Sequence, residues 1–140
     1  MVDTQWQNLW RARSEDPVDD AESLRMDDKG HLIDIGQKIQ RLDEAQAQFM
    51  GLMKFSVGGL KNLIAFYDSA GDIVPWTESR TKRTCYTTDL LRGMIEAGYT
   101  LDAARIGGGW LEFDTQPDFD IYTRLNNERA LTSLFKTWGF

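Results

Sequence analysis

At 140 residues, with 41% hydrophobic and 27% charged positions, the chain is long enough for one domain with a buried core and too apolar for a disordered one. Its formal net charge of -6 argues against nucleic acid as a partner, because the phosphates would be repelled, and an anionic small molecule would need locally gathered cations. No stretch approaches the roughly 18 consecutive apolar residues that span a bilayer, the N-terminus shows no signal-peptide pattern, and the single Cys85 allows no intrachain disulfide. A cytoplasmic location without a membrane partner is the expectation.

Trp6, Leu9, Trp10 and Arg13 recur at three- and four-residue spacing, which predicts a short amphipathic helix within residues 3–13. Residues 15–22 are acidic and interrupted by Pro17, and read as a solvated loop. Residues 23–26 and 31–35 alternate on either side of an Asp/Gly turn, the pattern of a β-hairpin. Residues 48–55 form a nearly continuous apolar run and predict a buried strand. Ser56 is placed to cap the next helix, whose Leu60, Leu63, Ile64 and Tyr67 share a face. Residues 71–83, with Pro75 and the cations Arg80, Lys82 and Arg83, read as loop. Thr88 is expected to cap a helix over residues 89–97 that stops at Gly98. Residues 101–106 and 110–113 read as strands flanking a triple-glycine turn, and Asp114 or Thr115 starts a last helix. This order predicts a single α/β domain over residues 1–140, a partial mixed-sheet sandwich with helices packed on it. Some of its strands are expected to lie elsewhere, leaving a sheet edge exposed or covered by a second copy in a homodimer.

Four segments, in order, carry a resemblance: Ile-Asp-Ile-Gly-Gln-Lys at 33–38, Gln-Phe-Met-Gly-Leu-Met-Lys-Phe at 48–55, Tyr-Thr-Thr-Asp-Leu-Leu at 86–91, and Gly-Gly-Trp-Leu-Glu-Phe-Asp-Thr at 108–115. Together they resemble the C-terminal half of the sugar-phosphate and phosphocholine nucleotidyltransferase family, and Val2 to Trp6 is similar to the segment following that family's central strands. The resemblance implies the acceptor-binding half of a Mg²⁺-dependent enzyme, which joins an NTP to a phosphorylated sugar or amino alcohol and releases pyrophosphate. The family's glycine-rich phosphate loop and a central Mg²⁺-binding Asp are absent from this chain. Gly107 to Gly109 does not replace the loop, since it is expected to precede a strand and lacks the Lys-Ser/Thr pair. Nucleotide binding is therefore expected only with a further half, and no activity from this chain alone. The alternative is a non-enzymatic α/β ligand-binding or dimerisation module.

By this resemblance Asp114 is the Mg²⁺ ligand and a catalytic residue, and Lys38 meets the acceptor phosphate as a point charge. Gln48, Gly51 and Asp89 would line the acceptor site. In a strand over residues 110–113, Trp110, Glu112 and Asp114 would share one face while Leu111 and Phe113 enter the core. Each has a simpler reading: Asp114 or Thr115 as a helix cap with Asp118 in a capping box, Lys38 as a surface lysine, and Gly51 as a strand bulge. Phe49, Trp76, Tyr86 and Trp110 could form an aromatic cage for a quaternary ammonium, or be core. A nucleophilic pair of His31 and Cys85 is the weakest reading.

Overall fold

The Trp/Leu stripe of the first predicted helix decides where the chain folds back on itself. In the computed structural model, which describes residues 1–77 and 80–134, β1 (Val2–Asp3) leads into α1 (Trp6–Arg13). Trp6, Leu9 and Trp10 of α1 are buried and pack with Ile39, Ala45 and Tyr122. The Trp6 and Trp10 rings meet edge to face, 5.7 Å between centroids, the arrangement the ring quadrupoles favour.

The predicted hairpin forms as β2 (Glu22–Met26) and β3 (Leu32–Lys38), paired antiparallel with two register irregularities. Its turn is held by Asp27, whose Oδ1 accepts the main-chain N–H groups of Lys29 (2.9 Å) and His31 (2.8 Å). Leu24, Leu32 and Ile35 pack on Val2, Ala47 and Leu91 in a second apolar cluster.

The apolar run at 48–55 departs from expectation. Only β4 (Gln48–Phe49) is strand, and Leu52 and Met53 are exposed. β4 pairs antiparallel with β1, which pairs parallel with β5 (Arg105–Ile106), giving a small mixed sheet in the order β4-β1-β5. Strand character ends where the ladder has no further partner, because an apolar run becomes strand only if a neighbour supplies hydrogen bonds. The predicted strand over residues 101–106 is likewise reduced to β5, with Asp102 bridged to His31.

Residues 110–113 are not a strand. The chain turns through positive φ at Gly108 and Gly109, and residues 110–113 pair with no strand, so Phe113 is exposed and not in the core. α4 (Gln116–Asn127) then starts as expected, with Thr115 as N-cap and Asp118 completing a capping box.

α2 (Val57–Ser69) is capped by Ser56, whose Oγ accepts the Gly59 N–H at 3.0 Å. Its predicted inner face is shifted, however. Leu60 and Ile64 are exposed, while Phe66 lies 4.8 Å from Trp76 and 5.8 Å from Tyr99 between centroids. In α3 (Thr87–Glu96) Thr88 lies inside the helix and is not its cap. Asp89 does the capping from within, accepting the Tyr86 N–H at 2.9 Å. The segment 71–83 is largely irregular as expected, its residues 78 and 79 lying outside the described residues.

β3 meets α3 closely at Gly36, where φ is +80° and an added Cβ would sit 2.6 Å from the Thr88 Cβ. Gly51 also has positive φ (+73°) but open space around it. Gly51→Ala should cost only backbone strain, about 1 kcal/mol. Gly36→Ala adds the overlap with Thr88, for a total of about 3 kcal/mol. Urea denaturation of the two variants checks the difference, and equal losses would contradict the close packing of β3 on α3.

Candidate functional site

Two constellations of charged side chains emerge. The first is a polar cleft of about 510 Å³ between the C-terminal end of β3, residues 75–77 with Arg80, and α3. Lys38 and Asp89 both line it, together with Arg80, Arg92 and Glu96, for which the sequence suggested no role in a site, and with Trp76, a candidate for the aromatic cage.

Asp89 organises the cleft. Its side chain is nearly inaccessible, and its carboxylate meets Arg80 Nη1 at 3.3 Å and Arg92 Nη2 at 3.6 Å besides capping α3. Arg92 also donates to the Trp76 carbonyl and lies 3.8 Å from Glu96. Arg80 stacks on Tyr86, 3.7 Å from the ring centroid. Glu22 stands behind this group. Burial pushes its carboxyl above the ordinary value, Asp89 adds to that, and a hydrogen bond from Thr88 opposes it. Lys38 differs from both arginines: among the described residues its ammonium has neither ion-pair nor hydrogen-bond partner. Two guanidinium groups held in place and one free ammonium make a surface suited to a small anion with several acceptor oxygens.

The second constellation is centred on Arg13, which sits on the apolar stripe of α1 with its side chain only 7% exposed. Its guanidinium meets Asp118 at 2.9 Å, Glu112 at 2.8 Å and Asp114 at 2.7 Å, with Asp20 at 3.8 Å. Burial works against the charged form of Arg13, but hydrogen bonds to Asp118 and Asp114 outweigh it, and the guanidinium is held more firmly protonated than usual. Arg13, helped by the Thr115 hydroxyl and the main-chain N–H groups of Thr115 and Asp114, holds the Asp118 carboxyl down at about 2. Glu112 moves the other way, pushed up by burial and by Asp114.

Glu112 and Asp114 thus lie together, but on an arginine and not on the strand face expected of residues 110–113. Neither lines the polar cleft. Among the described residues no three His, Cys, Asp or Glu side chains are arranged to hold a metal ion, and the Asp114 carboxylate is engaged by Arg13. These residues do not by themselves form a Mg²⁺ site.

The remaining candidates lie apart. Trp110 donates its indole N–H to the buried Asp3 (3.0 Å), which also accepts from the Gly108 N–H (2.8 Å) and the Gln5 N–H (2.8 Å), so the triple-glycine turn is anchored to β1. Gln48 is buried, its side-chain amide pairing with both main-chain groups of Glu22. Gly51 lies in the exposed segment after β4. The four-ring cage does not form, since Phe49 and Trp110 belong to different apolar clusters and Trp76 to the cleft. His31 Nδ1 faces Asp102 at 2.6 Å and the Cys85 thiol donates to the Lys82 carbonyl, so neither serves the other.

Arg13 had a sequence signal: an arginine in phase with Trp6, Leu9 and Trp10 is a cation on a buried stripe and needs carboxylates. Arg92 had a weaker one in its spacing from Asp89 and Glu96, three before and four after.

The sequence is similar to that of a nucleotidyltransferase. Over 121 residues, 86% of this chain, it is 35% identical to the CTP:phosphoglutamine cytidylyltransferase of Campylobacter jejuni subsp. jejuni serotype O:2 (strain ATCC 700819 / NCTC 11168). The chain spans about half of that relative, the match covering 47% of its length. No family model and no solved structure matches the chain. Among the described residues no helix is long and apolar enough to cross a membrane.

Because Asp118 is held at about 2 against an ordinary 3.8, it contributes about 2 kcal/mol of stability. A depressed carboxyl gives its full contribution above its unfolded value and loses it as pH falls through the folded one. The difference in unfolding free energy between the wild-type chain and Asp118→Asn should therefore shrink between pH 5 and pH 2, as denaturant titrations at both ends of that range would show. Arg13→Met, leaving its carboxylates uncompensated, should cost about 3 kcal/mol or more at pH 7. A loss under about 1 kcal/mol would mean that the cluster is dispensable.

Proposed function

We propose that this chain is the acceptor-binding part of a nucleotidyltransferase, and that the polar cleft receives a phosphorylated small molecule of the phosphoglutamine kind. The observation that carries the reading is that Lys38, whose ammonium has no partner among the described residues, lines one cleft with two arginines paired to Asp89, in a chain similar to a cytidylyltransferase. An otherwise acidic protein gathers cations there. Lys38 neutralises the acceptor phosphate, and Arg80 and Arg92 set its orientation. In the complete reaction an oxygen of that phosphate attacks the α-phosphorus of an NTP, the bond to the β-phosphate breaks, and pyrophosphate leaves. The contribution of these residues is positioning and charge neutralisation.

The triphosphate site belongs to polypeptide beyond the described residues. Such a site needs a fan of main-chain N–H groups at a helix N-terminus, and the glycines at 107–109 lead into irregular chain instead. Mg²⁺ enters the proposal with the nucleotide. Asp114 is the ligand the resemblance assigns to it, and its carboxylate is paired with Arg13.

Calorimetric titration of the 140-residue chain with phosphoglutamine should give a dissociation constant in the millimolar range, a binding free energy near -4 kcal/mol. Lys38→Ala should weaken it by about tenfold, the loss of roughly 1.4 kcal/mol expected for a charge-assisted hydrogen bond. CTP with Mg²⁺ should show no saturable binding below about 1 mM. Unchanged affinity in Lys38→Ala would remove the cleft from consideration, and micromolar CTP binding would mean that the chain carries its own nucleotide site.

A further inference from the structure

Glu96 lines the polar cleft, yet as a carboxylate it takes no part in holding a phosphate. We infer that Glu96 receives a cationic nitrogen of the acceptor, so that the cleft selects a phosphorylated zwitterion of the amino-acid kind over a phosphorylated sugar. The inference rests on the acceptor role proposed for the cleft and adds the residue that decides which acceptor fits.

The cleft follows α3 from one end to the other, and its N-terminal end is cationic. Gly36 packs on Thr88, and Lys38 is paired across the hairpin with Glu22, which Thr88 hydrogen-bonds. Lys38 therefore leaves β3 beside the start of the helix. Arg80 and Arg92 meet Asp89 there, and Arg80 lies on Tyr86, the N-cap residue. Glu96 is the last residue of α3, two helical turns beyond Asp89 and about 10 Å further along the axis. The helix dipole runs the same way, with its positive end beside Lys38 and Arg80 and its negative end at Glu96. Between the two ends stands Trp76, packed so closely on Gly93 that an added Cβ would lie 2.7 Å from its ring.

Local helix energetics disfavour a carboxylate at this position. A negative charge in the last turn faces the negative end of the dipole. Arg92 comes four residues before Glu96, which is the less favourable order for such a pair. Their contact is loose, 3.8 Å from Arg92 Nε, and Arg92 is drawn instead to Asp89 and the Trp76 carbonyl. Among the described residues the Glu96 carboxylate has no other partner, and its side chain is 58% exposed. Glu96 thus holds open acceptor oxygens at the end of the cleft opposite Lys38.

A cleft polarised in this way fits a molecule polarised in reverse. The phosphate lies against Lys38, several carbon atoms pass along Trp76, and an ammonium group meets Glu96 in a charge-assisted hydrogen bond. A sugar phosphate places neutral hydroxyls at Glu96 and forgoes that pairing. An amino acid phosphorylated on its side chain meets the requirement, because its α-ammonium lies at the end far from the phosphate.

The test combines two ligands with three proteins. The ligands are glutamine phosphorylated on its side-chain amide and the same molecule with its α-amino group replaced by hydrogen. The second keeps the phosphate and the carboxylate, so the pair isolates the ammonium. The proteins are the 140-residue chain, Glu96→Gln and Lys38→Ala, with dissociation constants from NMR shift titrations. The unaltered chain should bind the amino form about fivefold more tightly than the deaminated one, as expected for a partly exposed ion pair. Glu96→Gln should abolish that preference by weakening the amino form alone, whereas Lys38→Ala should weaken both ligands equally and keep the preference. Equal affinity of the unaltered chain for the two ligands, or a preference that survives in Glu96→Gln, would overturn the role of Glu96 while a Lys38 effect still upheld the cleft. If Lys38→Ala changes neither affinity, or if neither ligand binds, the cleft is not the acceptor site and the inference falls with it.

Discussion

The Arg13 guanidinium is the point on which the arrangement of the C-terminal third depends. α1 buries an apolar stripe, and the stripe ends in a cation that cannot reach bulk water. Such a charge is tolerated only if opposite charges come to it. Glu112, Asp114 and Asp118 do so from one segment, and Asp20 approaches from the acidic loop. One of these carboxylates, Asp118, also caps α4, so the start of that helix and its attachment to α1 share one group. Tyr122, one turn further along α4, is buried in the same cluster as Trp6 and Trp10, and Trp110 packs against Trp10 from the segment between.

A chain with a net charge of -6 nevertheless lines its polar cleft with three cations against two carboxylates. Part of its acidity is consumed internally around Arg13. Near the cleft a single buried carboxylate, Asp89, serves two arginines and a helix N-terminus at once. That leaves it fully committed to partners, and Lys38, projecting from the end of β3, remains available. The positions of Lys38 and Asp89 are linked through Gly36, where β3 and α3 approach too closely for any side chain.

Local patterns were legible wherever the responsible interactions are local. The α1 stripe, the turn around Asp27, the Ser56 and Thr115 caps and the stop at Gly98 each depend on residues within a few positions of one another. Strand character was legible only in the hairpin, which carries its own partner. Residues 48–55 and 110–113 have strand composition, but a strand is a relation between two segments, and no composition creates the second one. The same limit applied to Thr88: its side chain is a good cap, but Asp89 reaches the Tyr86 N–H from the third helical position and moves the boundary by two residues.

For the candidate site, the sequence by itself determined which residues carry charge, that Lys38 leaves a strand end, that Asp114 and Thr115 open a helix, and that any anion must find cations gathered locally. Only the tertiary structure decided which charges meet. Asp114 and Glu112 turn to Arg13, about 100 residues earlier in the chain, while Lys38 and Asp89 share a cleft with Arg80 and Arg92. The physical reason is that Coulomb and hydrogen-bond terms depend on distance in space and on burial, whereas spacing along the chain constrains neighbours within one element and little else.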